Sequence, residues 1–93
     1  MINLYFNLGN FSSHSLTSIS LDARSSKNET VFISCEPLSP ISQIDLINSA
    51  CRYLEKYFNT TIYCNHSVTN LKLETCNGKS NCIRQIQFQI YWD

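Results

Sequence analysis

The sequence predicts an α+β fold, a mostly antiparallel β-sheet of about five strands in the order β-β-β-α-β-β, with one helix packed on one face. Three observations predict it. Segments near both ends alternate apolar and polar residues with the period of a half-buried strand. One central segment repeats apolar residues at helical spacing. Proline, glycine and asparagine separate these runs. With 93 residues, the chain forms a single domain, 1–93, large enough for one core but too small for a second lobe around a deep cleft.

The first strand spans residues 2–8, where Ile2, Leu4, Phe6 and Leu8 alternate with Asn3, Tyr5 and Asn7, and Gly9-Asn10 ends it. After the polar stretch Phe11–Ser15, Leu16–Asp22 reads as a second strand with Thr17, Ile19 and Leu21 on one face. The segment 23–29 has no apolar period and reads as a hairpin loop. A third strand, Thr30–Cys35, points Val31, Ile33 and Cys35 inward.

Pro37 and Pro40 end that strand and introduce a helix over about 42–58. Ser42 is its N-cap, with Asp45 three residues on near the positive end of the helix, and Ser39 before Pro40 is the competing cap. Ile44, Ile47, Cys51, Leu54 and Phe58 form its apolar face, while Asn48, Arg52, Glu55 and Lys56 take the wet side. Arg52 and Glu55, three apart, can pair weakly. The β-branched and aromatic run Thr60–Cys64 opens a fourth strand with Ile62, Cys64, His66 and Val68 on one side. The phase shifts around Thr69-Asn70, so that Leu71 and Leu73 face inward. Asn77-Gly78 is the strongest turn signal, and Ile83–Trp92 follows as the clearest strand, Ile86, Phe88, Ile90 and Trp92 against Gln85, Gln87, Gln89 and Tyr91.

Composition removes several functions. Seven basic and seven acidic residues leave no net charge, so nothing global attracts phosphate backbones or anionic lipid, and neither nucleic acid nor membrane is an expected partner. No apolar run approaches the roughly 18 residues of a membrane span. The opening residues carry asparagines where a leader's apolar core would lie, which makes the cytoplasm the expected location, with secretion after removal of a leader as the alternative. Asn and Ile occur ten times each and Ala, Gly and Pro twice each, the bias of an AT-rich genome such as many viruses and phages carry.

Five cysteines cannot all pair with one another, so one stays free, binds metal or pairs between chains, and a homodimer is admitted on that ground. Cys76 and Cys82 flank a short polar loop and are the disulfide candidates for an oxidising compartment. Four Asn-x-Ser/Thr sequons, at Asn10, Asn28, Asn59 and Asn65, belong with an exported chain or lie idle in one that is not. Cys64, His66, Cys76 and Cys82 form a weak Cys₃His metal candidate, because their spacing matches no compact paired-ligand pattern. No metal or other cofactor is therefore expected.

A thiol hydrolase would need a stabilised thiolate beside a histidine, and only His14 and His66 exist. No catalytic constellation emerges. The uncharged polar stripes are more informative, since solvated sheet faces normally carry Lys, Glu or Arg. Tyr5, Gln85, Gln87, Gln89, Tyr91 and Trp92 are the expected binding residues of a surface that either adds a partner's strand or docks flat on a protein. The leading expectation is a non-enzymatic protein-binding module, an inhibitor of viral or phage type that occludes a site on a larger host protein. One alternative is a secreted, glycosylated, disulfide-stabilised domain. A second is a small hydrolase using His66 with Cys64 or His14.

Overall fold

The computed structural model describes residues 1–15, 21–36, 41–76, 78 and 80–93. Along the chain run β1 (Ile2–Asn7), β2 (Asn10–Ser15), a 3-10 turn (Leu21–Ala23), β3 (Asn28–Cys35), α1 (Gln43–Phe58), β4 (Tyr63–Cys64), β5 (Asn70–Cys76) and β6 (Ser80–Tyr91). The expected α+β class is found, with one helix on one sheet. Among the described residues the sheet has six strands and is mixed, because β1 runs parallel to β3 while the other pairs are antiparallel. Its order is β2-β1-β3-β6-β4, with β5 sharing the β4 side of the long strand β6.

The parallel pair follows from the second strand lying earlier than its apolar pattern indicated. Leu8 and Gly9 both adopt positive φ, 53° and 84°, and join β1 to β2 as the two-residue turn that suits a right-twisted hairpin. Leu8 is therefore a turn residue and not the inward end of β1. The stretch 11–15, polar apart from Phe11, pairs with β1 through backbone hydrogen bonds, with one irregularity at Asn3/Leu4. Of the segment expected as a strand, 16–20 lies outside the described residues, while Leu21 is in the 3-10 turn, buried in the core. After this the chain enters β3 beside β1 and parallel to it.

Helix α1 starts as its capping pattern indicates. Ser42 Oγ accepts the Asp45 N–H at 3.1 Å, and the helix closes at Asn59, whose left-handed φ of 52° directs its N–H to the Glu55 carbonyl. Its buried face is Leu46, Ile47, Ala50, Cys51 and Leu54. Ile44, expected inside, is 59% exposed. At 100° per residue it lies about 90° from the middle of that stripe, and Leu46 takes the inward place. The core is completed by Ile2, Leu4, Phe6, Val31, Ile33, Cys35, Ile86, Phe88 and Ile90 from the inner sheet face. The outer face of the sheet has no covering layer among the described elements.

After the helix, strand pairing shrinks to Tyr63–Cys64 against Tyr91–Ile90. Ile62 is buried, and Cys64 and Val68 pack partly on the core, whereas His66 is exposed. The chain stays beside β6 through Asn65 N–H to Gln89 O and Thr69 N–H to Gln87 O, both 2.9 Å, and then becomes β5. The irregularity expected at Thr69-Asn70 lies instead at Lys72/Leu73, where Arg84 is the extra residue on β6. Leu71 and Leu73 share one face as expected, opposite Ile86 and Ile83. They are 39% and 47% exposed, however, because β5 is an edge strand beyond the strip of sheet that α1 covers.

Candidate functional site

Three strands at the centre of the sheet build the outer face. In the parallel pair Tyr5 lies opposite Ser34 and Asn3 opposite Phe32. In the antiparallel pair Thr30, Phe32 and Ser34 lie opposite Gln89, Gln87 and Gln85, and Asn28 opposite Tyr91. Paired residues on neighbouring strands point to the same side, so Asn3, Tyr5, Thr30, Phe32, Ser34, Gln85, Gln87, Gln89 and Tyr91 form one uncharged face of amides, hydroxyls and three aromatic rings. Most of these residues are half-buried by their neighbours, and Tyr91 is exposed. Tyr63, exposed and opposite Tyr91, extends the aromatic end. Lys72, opposite Gln85 on β5, marks the charged margin.

The structure thus brings together five of the six expected binding residues, and Phe32, which sequence reading did not single out, lies between them. The sixth is corrected. Trp92 is 2% exposed and belongs to the core, continuing the inward run of Ile86, Phe88 and Ile90, so it offers no ring to a partner. The strand-addition form of the interface is also corrected. Both β1 and β6 are paired on both sides, so their backbone groups are already used and only their side chains face outward.

The cysteines occupy three different settings. Cys76 and Cys82 are paired at the loop end of the β5–β6 hairpin, Cα atoms 5.8 Å apart, as their spacing suggested. Cys51 and Cys64 form a second pair, Cα atoms 6.4 Å apart, joining the middle of α1 to β4. This pair was missed, although a cysteine on the buried helix face and another in the first strand turning back along that face were the signal for it. Cys35 remains free, buried at the end of β3. Burial pushes its thiol up to about 11 from the ordinary 9.0, and the Arg84 guanidinium pulls slightly the other way. Arg84 also donates to the Cys35 carbonyl at 3.0 Å and pairs with Glu36 at 3.4 Å.

These settings remove the weak metal set. Cys64 is bonded to Cys51 and lies opposite Ile90, while Cys82 is eight residues away on the same strand, roughly 25 Å at the usual rise. Among the described residues no three His, Cys, Asp or Glu side chains gather at one point. Cys64, one of the groups considered for a hydrolase, stands in this arrangement as the partner of Cys51. His66, on the surface, has Nε2 2.7 Å from Asn48 Oδ1, and His14 lies on β2 at the opposite edge of the sheet. A shallow groove of about 280 Å³ does run beside the Cys51–Cys64 pair, lined by Asn48, Arg52, Glu55, Tyr63 and His66 among others. Glu55 does not pair with Arg52 as expected there. Its carboxylate accepts the Ile62 N–H at 3.1 Å.

No family model, curated protein or solved structure matches this chain. Among the described residues no helix is long and apolar enough to cross a membrane.

Proposed function

We propose that the protein is a non-enzymatic binding module whose outer sheet face docks on a larger protein. The observation that carries this reading is the absence of charge from nine side chains spread across β1, β3 and β6. A solvated sheet face normally carries charges that oppose association. Here a partner would displace water from amides and rings without stripping any ion of its hydration, and Tyr5, Phe32 and Tyr91 are the anchors. Occlusion of a site on a host protein by a viral or phage-encoded chain is the form of this reading that the AT-rich composition supports.

The test is affinity capture with the wild-type protein, Gln87→Lys and Lys56→Glu as baits. Gln87 is central on the outer face, whereas Lys56 is exposed on the helix. A protein retained by the wild type and by Lys56→Glu but lost with Gln87→Lys supports the reading, and equal retention by all three refutes it.

A second reading concerns the compartment. The two cysteine pairs favour a secreted, disulfide-stabilised domain over the cytoplasmic location expected from the opening residues. The sequon residues Asn10, Asn28 and Asn59 are exposed and have room for sugar, while Asn65 is half-buried. Intact mass of the natively produced protein with and without alkylation separates the two locations. One reactive thiol with added glycan supports export, and five reactive thiols on an unmodified chain refute it.

A further inference from the structure

The geometry points to the free edge of β5 as a self-pairing site, at which two copies of this chain join antiparallel about Leu73 into one continuous sheet. Among the described strands β5 pairs with β6 alone, so its other side presents a row of backbone donors and acceptors, the natural template for a further strand. Edges of this kind are usually blocked by a lysine. In β5 the lysine comes with a compensating charge, since Lys72 and Glu74 flank Leu73 symmetrically.

That symmetry selects both occupant and direction. In an antiparallel pair with its two-fold axis at Leu73, Lys72 of each copy lies opposite Glu74 of the other, Leu73 faces Leu73, and Leu71 faces Thr75. Two complementary charge pairs form on one face, and the exposed Leu73 side chains lose water on the other. A parallel pair in register would instead set Lys72 against Lys72 and Glu74 against Glu74. The arrangement is therefore self-complementary in one orientation and repulsive in the other, the condition for a closed two-fold contact. Glu74 has a half-exposed side chain, 42%, and already makes a long ion pair with Arg84 Nε at 3.9 Å, an exposed contact of little net worth that Lys72 of a second copy would share. The other sheet edge, β2, carries no charged residue and so has no equivalent device.

A seven-residue edge buries less than a standard interface, so the dimer is weak and, resting partly on exposed ion pairs, weakens further with salt. It also sets the two outer faces side by side, giving a partner two equivalent copies to engage. The inference stands apart from the reading of the outer face, because the two surfaces are different.

Sedimentation velocity over a concentration series, at low and high salt, tests it with wild type, Lys72→Glu, Glu74→Lys and the double exchange. The expected result is a reversible wild-type dimer, weakened roughly tenfold or more by either single change, where like charges now meet. The double exchange, which swaps the charges but keeps them complementary, restores it. Circular dichroism confirms that each variant is folded. Should a single variant fail to fold, the double exchange and the salt series carry the test alone. A wild type that stays monomeric to its solubility limit overturns the inference. So does dimerisation insensitive to both single changes, or a double exchange that does not recover.

Discussion

Removing the Cys51–Cys64 pair by Cys51→Ala/Cys64→Ala should cost more than removing Cys76–Cys82, and by an amount fixed by chain length. The first pair closes a loop of 13 residues and the second a loop of 6. In the loop-entropy description, cross-links of these lengths restrict the unfolded chain by about 3 and about 2 kcal/mol. Against the roughly 5–15 kcal/mol that holds a domain of this size together, the first loss is large. With a urea slope of about 1 kcal/mol/M, the midpoint should fall by roughly 3 M, and the slope should rise because the unfolded chain is less compact. The assay is urea unfolding followed by tryptophan fluorescence, with and without reductant. Reductant should destabilise the wild type by the sum of both losses but the Cys51→Ala/Cys64→Ala variant only by the smaller. A wild type indifferent to reductant, or a greater cost for the hairpin pair, would refute the reasoning.

Phe88→Ala and Ile47→Ala empty fully buried positions on the sheet and helix sides of the core and should each cost roughly 2–5 kcal/mol; wild-type-like urea midpoints would contradict the packing described. Ser42→Ala removes the side-chain acceptor of the Asp45 N–H and should cost about 1 kcal/mol, read as a fall in thermal midpoint with unchanged far-ultraviolet dichroism. Burial holds the Cys35 thiol at about 11 against an ordinary 9.0, so the unfolded chain loses that proton first. The resulting stability is whole below pH 9 and disappears as pH climbs from 9 to 11, by about 2–3 kcal/mol. Wild type and Cys35→Ala should therefore differ in slope across that window, and parallel pH–stability curves would contradict the assignment.

Where side chains alone set the structure, the sequence was informative. The alternation from Ile86 to Trp92, the stripe from Ile47 to Leu54 and the Ser42 cap all express burial or local hydrogen bonding, and each is found in place. The departures arise where backbone pairing or coverage decides. Polar β2 is a strand because β1 offers it a ladder, which no apolar period records. Leu71 and Leu73 have the right face but lie past the reach of the helix, and helix reach is a property of the assembled layers. Trp92 falls both in the core period and on the candidate surface, and the period is the better guide. The outer face itself was half legible. Its glutamines and tyrosines were visible as uncharged stripes, but their union through Phe32 depends on β3 lying between β1 and β6.

The distribution of stabilising contacts explains why that face can be uncharged at all. Nearly all the buried apolar surface lies between α1 and the inner face. The stretch 59–69 of this layer is pinned by little regular pairing, its strand being the two-residue β4. The Cys51–Cys64 pair anchors that stretch to the helix, doing what a longer strand would otherwise do. On the outer side, burial of large side chains contributes little to folding, so its residues are constrained mainly by β propensity and by what they meet in solution. Propensity accounts for Tyr5, Thr30, Phe32 and Tyr91 but not for Gln85, Gln87 and Gln89, whose positions would accept lysine or glutamate at little cost in stability. Three amides in alternating register along a central strand, with charge confined to the margin, are therefore the feature on which the proposed docking of a partner rests.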